Sequence, residues 1–87
     1  MYQLVYYITK TNLTSLKQEN NKLEPEVQGF RLRKNALHYL LEKVRPDYQT
    51  LGYATEARVG GIYCYKSKRT ENGEREIEEV LIKVEKA

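Results

Sequence analysis

The chain has 87 residues, 40% of them hydrophobic and 31% charged, with a net charge of +3 from 15 Lys and Arg against 12 Asp and Glu. That balance is too apolar for a disordered tail and too charged for a membrane-spanning segment. At about 100–200 residues per domain, residues 1–87 read as a single domain with a modest core. A single cysteine, Cys64, excludes an internal disulfide, and the N-terminus lacks the basic start and apolar stretch of a signal peptide. A reducing, cytoplasmic setting is therefore expected.

Residues 2–9, Tyr-Gln-Leu-Val-Tyr-Tyr-Ile-Thr, are dense in β-branched and aromatic types and read as a strand well inside a sheet. Residues 10–29 are mostly polar. Leu13, Leu16 and Leu23, with Ser15 and Gln18 spaced as a capping box, fit a short helix punctuated by Pro25 and Gly29, and a loop fits as well. Residues 31–45 carry the main helix, because Leu37, Leu40, Leu41 and Val44 recur on one face. Asn35 suits its N-cap, Phe30-Arg31-Leu32-Arg33 an extended lead-in, and Pro46 its end. Residues 50–58 alternate as a strand with Leu51, Tyr53, Thr55 and Ala57 on one face. Gly60-Gly61 turns the chain into a strand over 62–69, and Asn72-Gly73 turns it into a last strand over 75–85.

A two-residue turn at Asn72-Gly73 makes paired residue numbers sum to 145. Tyr65 then faces Val80, Tyr63 faces Ile82, Gly61 faces Val84 and Cys64 faces Leu81. Lys66–Glu79 and Arg69–Glu76 become cross-strand ion pairs. The expected fold is α+β: an antiparallel sheet of about four strands in the order β-α-β-β-β, with room for a short helix after the first, and one amphipathic helix on one face. The hairpin tip, residues 66–79, is expected to project past the core as a charged arm.

The chemistry-bearing residues are few. One His and one Cys cannot make a zinc set, so His38 reads as a surface residue and Cys64 as a small core hydrophobe. No glycine-rich phosphate loop is present, and Glu78-Glu79 point to opposite strand faces. No cofactor or metal is expected, and no nucleophile, base and orienter can be assembled. Tyr63 and Tyr65 could stack bases from a sheet face, but the two-residue-turn register places them with the core.

Charge is uneven: residues 1–30 sum to zero, 31–69 to +6 and 70–87 to −3. The basic residues fall into two groups, Arg31, Arg33 and Lys34 before the helix, and Arg58, Lys66, Lys68 and Arg69 on adjacent strands. They are the candidate binding residues. The expectation is a small non-enzymatic module that binds nucleic acid through this basic surface, with no membrane role. The alternative is a protein-binding inhibitor or regulator, of the kind mobile elements encode, that uses an acidic protein surface.

With a helix at 13–23, the order strand, helix, helix, three strands resembles the RelE and ParE toxins of bacterial toxin–antitoxin pairs, and Arg58-Val59-Gly60 resembles their strand-end turn. The resemblance implies a ribonuclease toxin. The chain departs from that pattern at Tyr63, where these toxins usually carry an arginine, and at its Glu85-Lys86-Ala87 end.

Overall fold

A computed structural model describes residues 1–24 and 29–87. It shows an α+β fold in which β1 (Tyr2–Asn12), β2 (Gln18–Leu23), β3 (Ala54–Arg58), β4 (Gly61–Arg69) and β5 (Arg75–Lys86) form one antiparallel sheet in the order β2-β1-β5-β4-β3. Between β2 and β3 the chain is helical over residues 33–50, as α1 (Arg33–Tyr39), a π-helical stretch (Leu40–Val44) and α2 (Arg45–Thr50).

The segment after β1 is an edge strand, neither the short helix nor the loop that the sequence suggested. Asn12 decides this locally. Its Oδ1 accepts hydrogen bonds from the amides of Thr14 and Ser15, at 2.9 and 3.0 Å, as a helix cap would, but the turn stops after one round, with the Leu16 amide on the Asn12 carbonyl and the Asn12 amide on the Lys17 carbonyl of the returning chain. Leu16 takes φ +61° and the chain returns as β2. Leu13, Leu16 and Leu23 are exposed, so their spacing carries no buried stripe. Pro25, read as punctuation for that helix, lies outside the described residues. The order is therefore two strands, one helix, three strands, which removes the element order on which the toxin resemblance rested.

Phe30 exchanges both backbone hydrogen bonds with Tyr2 and leads extended into the helix, which begins at Arg33 rather than near Asn35. Its N-cap is Leu32, with no side-chain hydrogen bond. The helix also runs past Pro46. A proline offers no N–H to the carbonyl four residues back and its ring crowds that carbonyl. The π-helical stretch lies directly before it, with the Arg45 N–H donating to the Leu40 carbonyl five residues back, and so makes room for the ring. Ala36, Leu40 and Val44 form the buried stripe, with Leu37 and Leu41 half-buried beside it. Because the helix occupies residues through Thr50, β3 starts only at Ala54 and Leu51 is exposed.

The register of β4 on β5 differs by one residue from the expected one: paired numbers sum to 144, with Ile62 opposite Ile82, Cys64 opposite Val80 and Tyr63 opposite Leu81. Only Gly73 of the Asn-Gly pair has positive φ, at +79°. The Gly73 amide donates to the Thr70 carbonyl, and the Thr70 amide to the Glu74 carbonyl. Asn-Gly thus sits in a three-residue loop, Glu71-Asn72-Gly73, with Gly73 in the left-handed position after a turn, and not in a two-residue turn that needs positive φ at both. The extra loop residue turns every β4 side chain over. Ile62, Cys64, Val80, Ile82 and Leu4 meet Ala36, Leu40 and Val44 in the core, and Tyr63 and Tyr65 go to the other face.

The expected ion pairs change with the register. Lys66 is opposite Glu78, Lys68 is opposite Glu76 at 3.4 Å, and Arg69 is opposite Arg75. The molecule is elongated, 45 × 22 × 22 Å. The hairpin tip does not project alone, since β1 pairs with β5 as far as Asn12–Glu76 and the Leu13 amide bonds the Arg75 carbonyl. The far end is a four-stranded edge of the sheet.

Candidate functional site

The helix packs on one face of the sheet, and among the described residues no element covers the other. Strand alternation and register fix what that open face presents. One row across the strands runs Lys22, Tyr7, Leu81, Tyr63, Glu56, and the next Asn20, Thr9, Glu79, Tyr65, Ala54. On the helix-entry side lie Val5, itself buried, Lys83, Gly61 and Arg58, and toward the far end Thr11, Ile77, Ser67 and then Arg75 opposite Arg69.

Aromatic rings dominate the centre. Tyr63 and Tyr65 stack, with centroids 5.3 Å apart and planes 29° from parallel. The Arg58 guanidinium lies over the Tyr63 ring at 4.9 Å, and Lys83 and Lys22 lie 5.7 and 5.8 Å from the Tyr7 ring centre. Cations over ring faces are attracted by the ring quadrupole. Two strand spacings separate Tyr7 from Tyr63, about 10 Å, with Leu81 between them as an apolar floor.

Two carboxylates anchor the phenols, Glu85 accepting from Tyr7 and Glu79 from Tyr63. The bond to Glu79, followed by burial, pushes the Tyr63 phenol up to about 12, and the bond to Glu85 raises that of Tyr7. Both rings stay neutral at physiological pH and hold fixed orientations. Among the described residues the open face carries five cations, Lys22, Arg58, Arg69, Arg75 and Lys83, against four carboxylates, Glu56, Glu79, Glu85 and Glu24, the last paired with Lys22 at 3.2 Å. Arg69 and Arg75 are opposed like charges, a cross-strand arrangement that costs stability and that a bound anion would relieve.

The seven basic residues singled out in the sequence do not form one patch. Arg31, Arg33 and Lys34 are exposed at the start of the helix, and the Arg33 guanidinium reaches the β3–β4 turn at Gly60. Arg58 lies at that same end but on the open face, and Arg69 at the far end of it. Lys66 and Lys68 point to the helix side and are engaged there. Lys66 lies 4.4 Å from the Tyr53 ring centre and Lys68 pairs with Glu76. Tyr53 also donates to Glu78; burial works against the Glu78 carboxylate, but that bond together with Lys68, Lys10 and Lys66 lowers its pKa overall. Tyr7, Lys22, Arg75 and Lys83 went unnoticed in the sequence because only the register shows that they share a face with Tyr63.

The remaining chemistry-bearing groups lie elsewhere. His38 stands 3.8 Å from Glu42 on the exposed side of the helix. Cys64 is fully buried, and burial pushes its thiol up to about 11. No cluster of three or more His, Cys, Asp and Glu able to hold a metal ion occurs among the described residues, and no helix there is long and apolar enough to cross a membrane. No family model matches the chain, and no curated protein or solved structure matches it either.

Proposed function

We propose that this protein is a non-enzymatic module that binds single-stranded nucleic acid on the open face of its sheet. The observation that carries the reading is the stacked Tyr63–Tyr65 pair on a sheet face that no described element covers, with Arg58 over one ring. Unpaired bases stack on such rings whatever their sequence, and flanking cations take the backbone phosphates. Duplex bases are already stacked and offer no free faces to Tyr63 and Tyr65, so single strands should bind better. Lys22, Lys83 and Arg58 at one end and Arg69 and Arg75 at the other would receive phosphates.

Fluorescence anisotropy with labelled single-stranded and duplex oligonucleotides of the same sequence tests this. The single strand should bind more tightly, with affinity falling steeply as salt rises. Tyr63→Ala and Tyr65→Ala should each weaken it by about 5- to 150-fold, the range expected for losing one base–aromatic stack. A second reading, a protein-binding regulator docking on this face, draws on Leu81 between the rings and Ile77 toward the far end. It predicts no oligonucleotide binding and a partner affinity that barely responds to salt.

A further inference from the structure

The two edges of the sheet differ, and the difference points to a second copy of this chain. The Gly60 carbonyl accepts from the Val84 amide, so Gly60 faces β5 and the next residue, Gly61, faces β3. Gly61 therefore bonds Arg58, its opposite number in the register. Alternation then turns the backbone groups of Ala57 and Thr55 outward from β3, with no strand beyond them among the described residues. The same argument on the other edge, from the Asn12 amide bonded to the Lys17 carbonyl, turns Gln18, Asn20 and Lys22 outward from β2.

Natural edges are guarded by Lys, Pro or bulges. β2 is polar up to Leu23 and carries Lys22. β3, Ala-Thr-Glu-Ala-Arg, has no Lys, Pro or bulge, its two charges are of opposite sign and so can pair across a seam, and Val59 beside it is fully exposed. We infer that β3 pairs antiparallel with β3 of a second copy, centred on Ala57, to make one continuous ten-stranded sheet. Charge selects that register. Centring on Ala57 sets Glu56 of each copy opposite Arg58 of the other, two attractive pairs, and sets Thr55 opposite Val59. Centring on Glu56 sets Glu56 against Glu56, and centring on Thr55 leaves both charges opposite neutral residues. Within one chain Glu56 and Arg58 already lie 3.4 Å apart, so both side chains stand on the face where the cross-copy pairs form. On β2, centring on Asn20 brings no opposite charges together.

The seam spans residues 55–59 of each copy, a small interface, so the dimer is weak and concentration-dependent. It also joins the two open faces, with Tyr63 of each copy three strand spacings apart and offset by two residues, about 16 Å. The pairing itself does not depend on what the open face binds.

Sedimentation velocity over a wide concentration range tests it without any ligand. The native chain should pass from monomer to dimer as concentration rises. Ala57→Pro removes an outward N–H and should leave only monomer. Glu56→Arg and Arg58→Glu should each weaken dimerisation about tenfold or more, because both cross-copy pairs become repulsive. The double variant should restore it to within about threefold of native. Melting curves for each variant check the fold. If Ala57→Pro unfolds the chain, the charge reversals decide. A chain that stays monomeric throughout, a dimer indifferent to Ala57→Pro in folded protein, or a double variant as weak as the single ones overturns the proposal.

Discussion

Ile62 and Tyr65 stand on opposite faces of β4, and replacing each in turn tests the register on which the open face depends. Ile62 is fully buried opposite Ile82, beneath the helix. Ile62→Ala removes buried methyl and methylene groups and leaves a cavity, at a cost of about 2–5 kcal/mol. A domain of 87 residues has about 4–13 kcal/mol in all, so this loss is a large share of it. At roughly 4–8 °C per kcal/mol for a domain of this size, the melting temperature should fall by about 8 °C or more. Tyr65 is 42% exposed, lies opposite Glu79 and loses only its stack on Tyr63. Tyr65→Thr keeps a strand-forming residue and should cost within about 1 kcal/mol. Urea melts of the two variants read the difference directly. A two-residue turn at Asn72-Gly73 would put Tyr65 in the core and Ile62 outside, so a larger loss for Tyr65→Thr than for Ile62→Ala refutes the reasoning.

Three further outcomes follow from particular positions. Leu32→Asp should raise stability by about 0.5–2 kcal/mol in urea melts, because the helix has neither a capping side chain nor an acidic residue in its first turn. Gly61→Ala should destabilise by about 1–3 kcal/mol or more, since a Cβ there would meet the Ile82 carbonyl oxygen at 2.1 Å and backbone would have to move. In alkali, Tyr48, raised to about 12 chiefly by burial, and Tyr63, raised to about 12 chiefly by its bond to Glu79, are held neutral by the fold. A raised folded pKa contributes stability that is intact below pH 10 and is lost as pH climbs toward 12. Circular dichroism and tyrosinate absorbance followed together should therefore show unfolding in that window, whereas all eight tyrosines ionising near pH 10 with the fold intact would contradict it.

Legibility in the sequence tracked how much of each element is buried. The helix face and the strands β4 and β5 show as apolar periodicity because one side of each meets the core. β2 gave no such signal: every residue of Gln-Glu-Asn-Asn-Lys-Leu is exposed, and what holds it is a backbone ladder to β1 and the turn that Asn12 closes. The run past Pro46 was hidden because a π-helical turn relieves the clash that ordinarily stops a helix there. The candidate site was misplaced by a single residue of loop. Asn-Gly serves both two-residue and three-residue hairpins, and only the backbone of Asn72 and Gly73 tells them apart. The tyrosines and Arg58 were visible in the sequence, but which face they share was not.

Amide chemical-shift mapping during titration with a single-stranded oligonucleotide shows whether a single strand binds on the open face. The largest shifts should fall at Tyr7, Tyr63, Tyr65, Leu81 and Arg58, with Arg75 and Lys83 following, and little change at Ala36, Leu40 and Val44 in the core. Shifts confined to Arg31, Arg33 and Lys34, or none anywhere at saturating oligonucleotide, would contradict it.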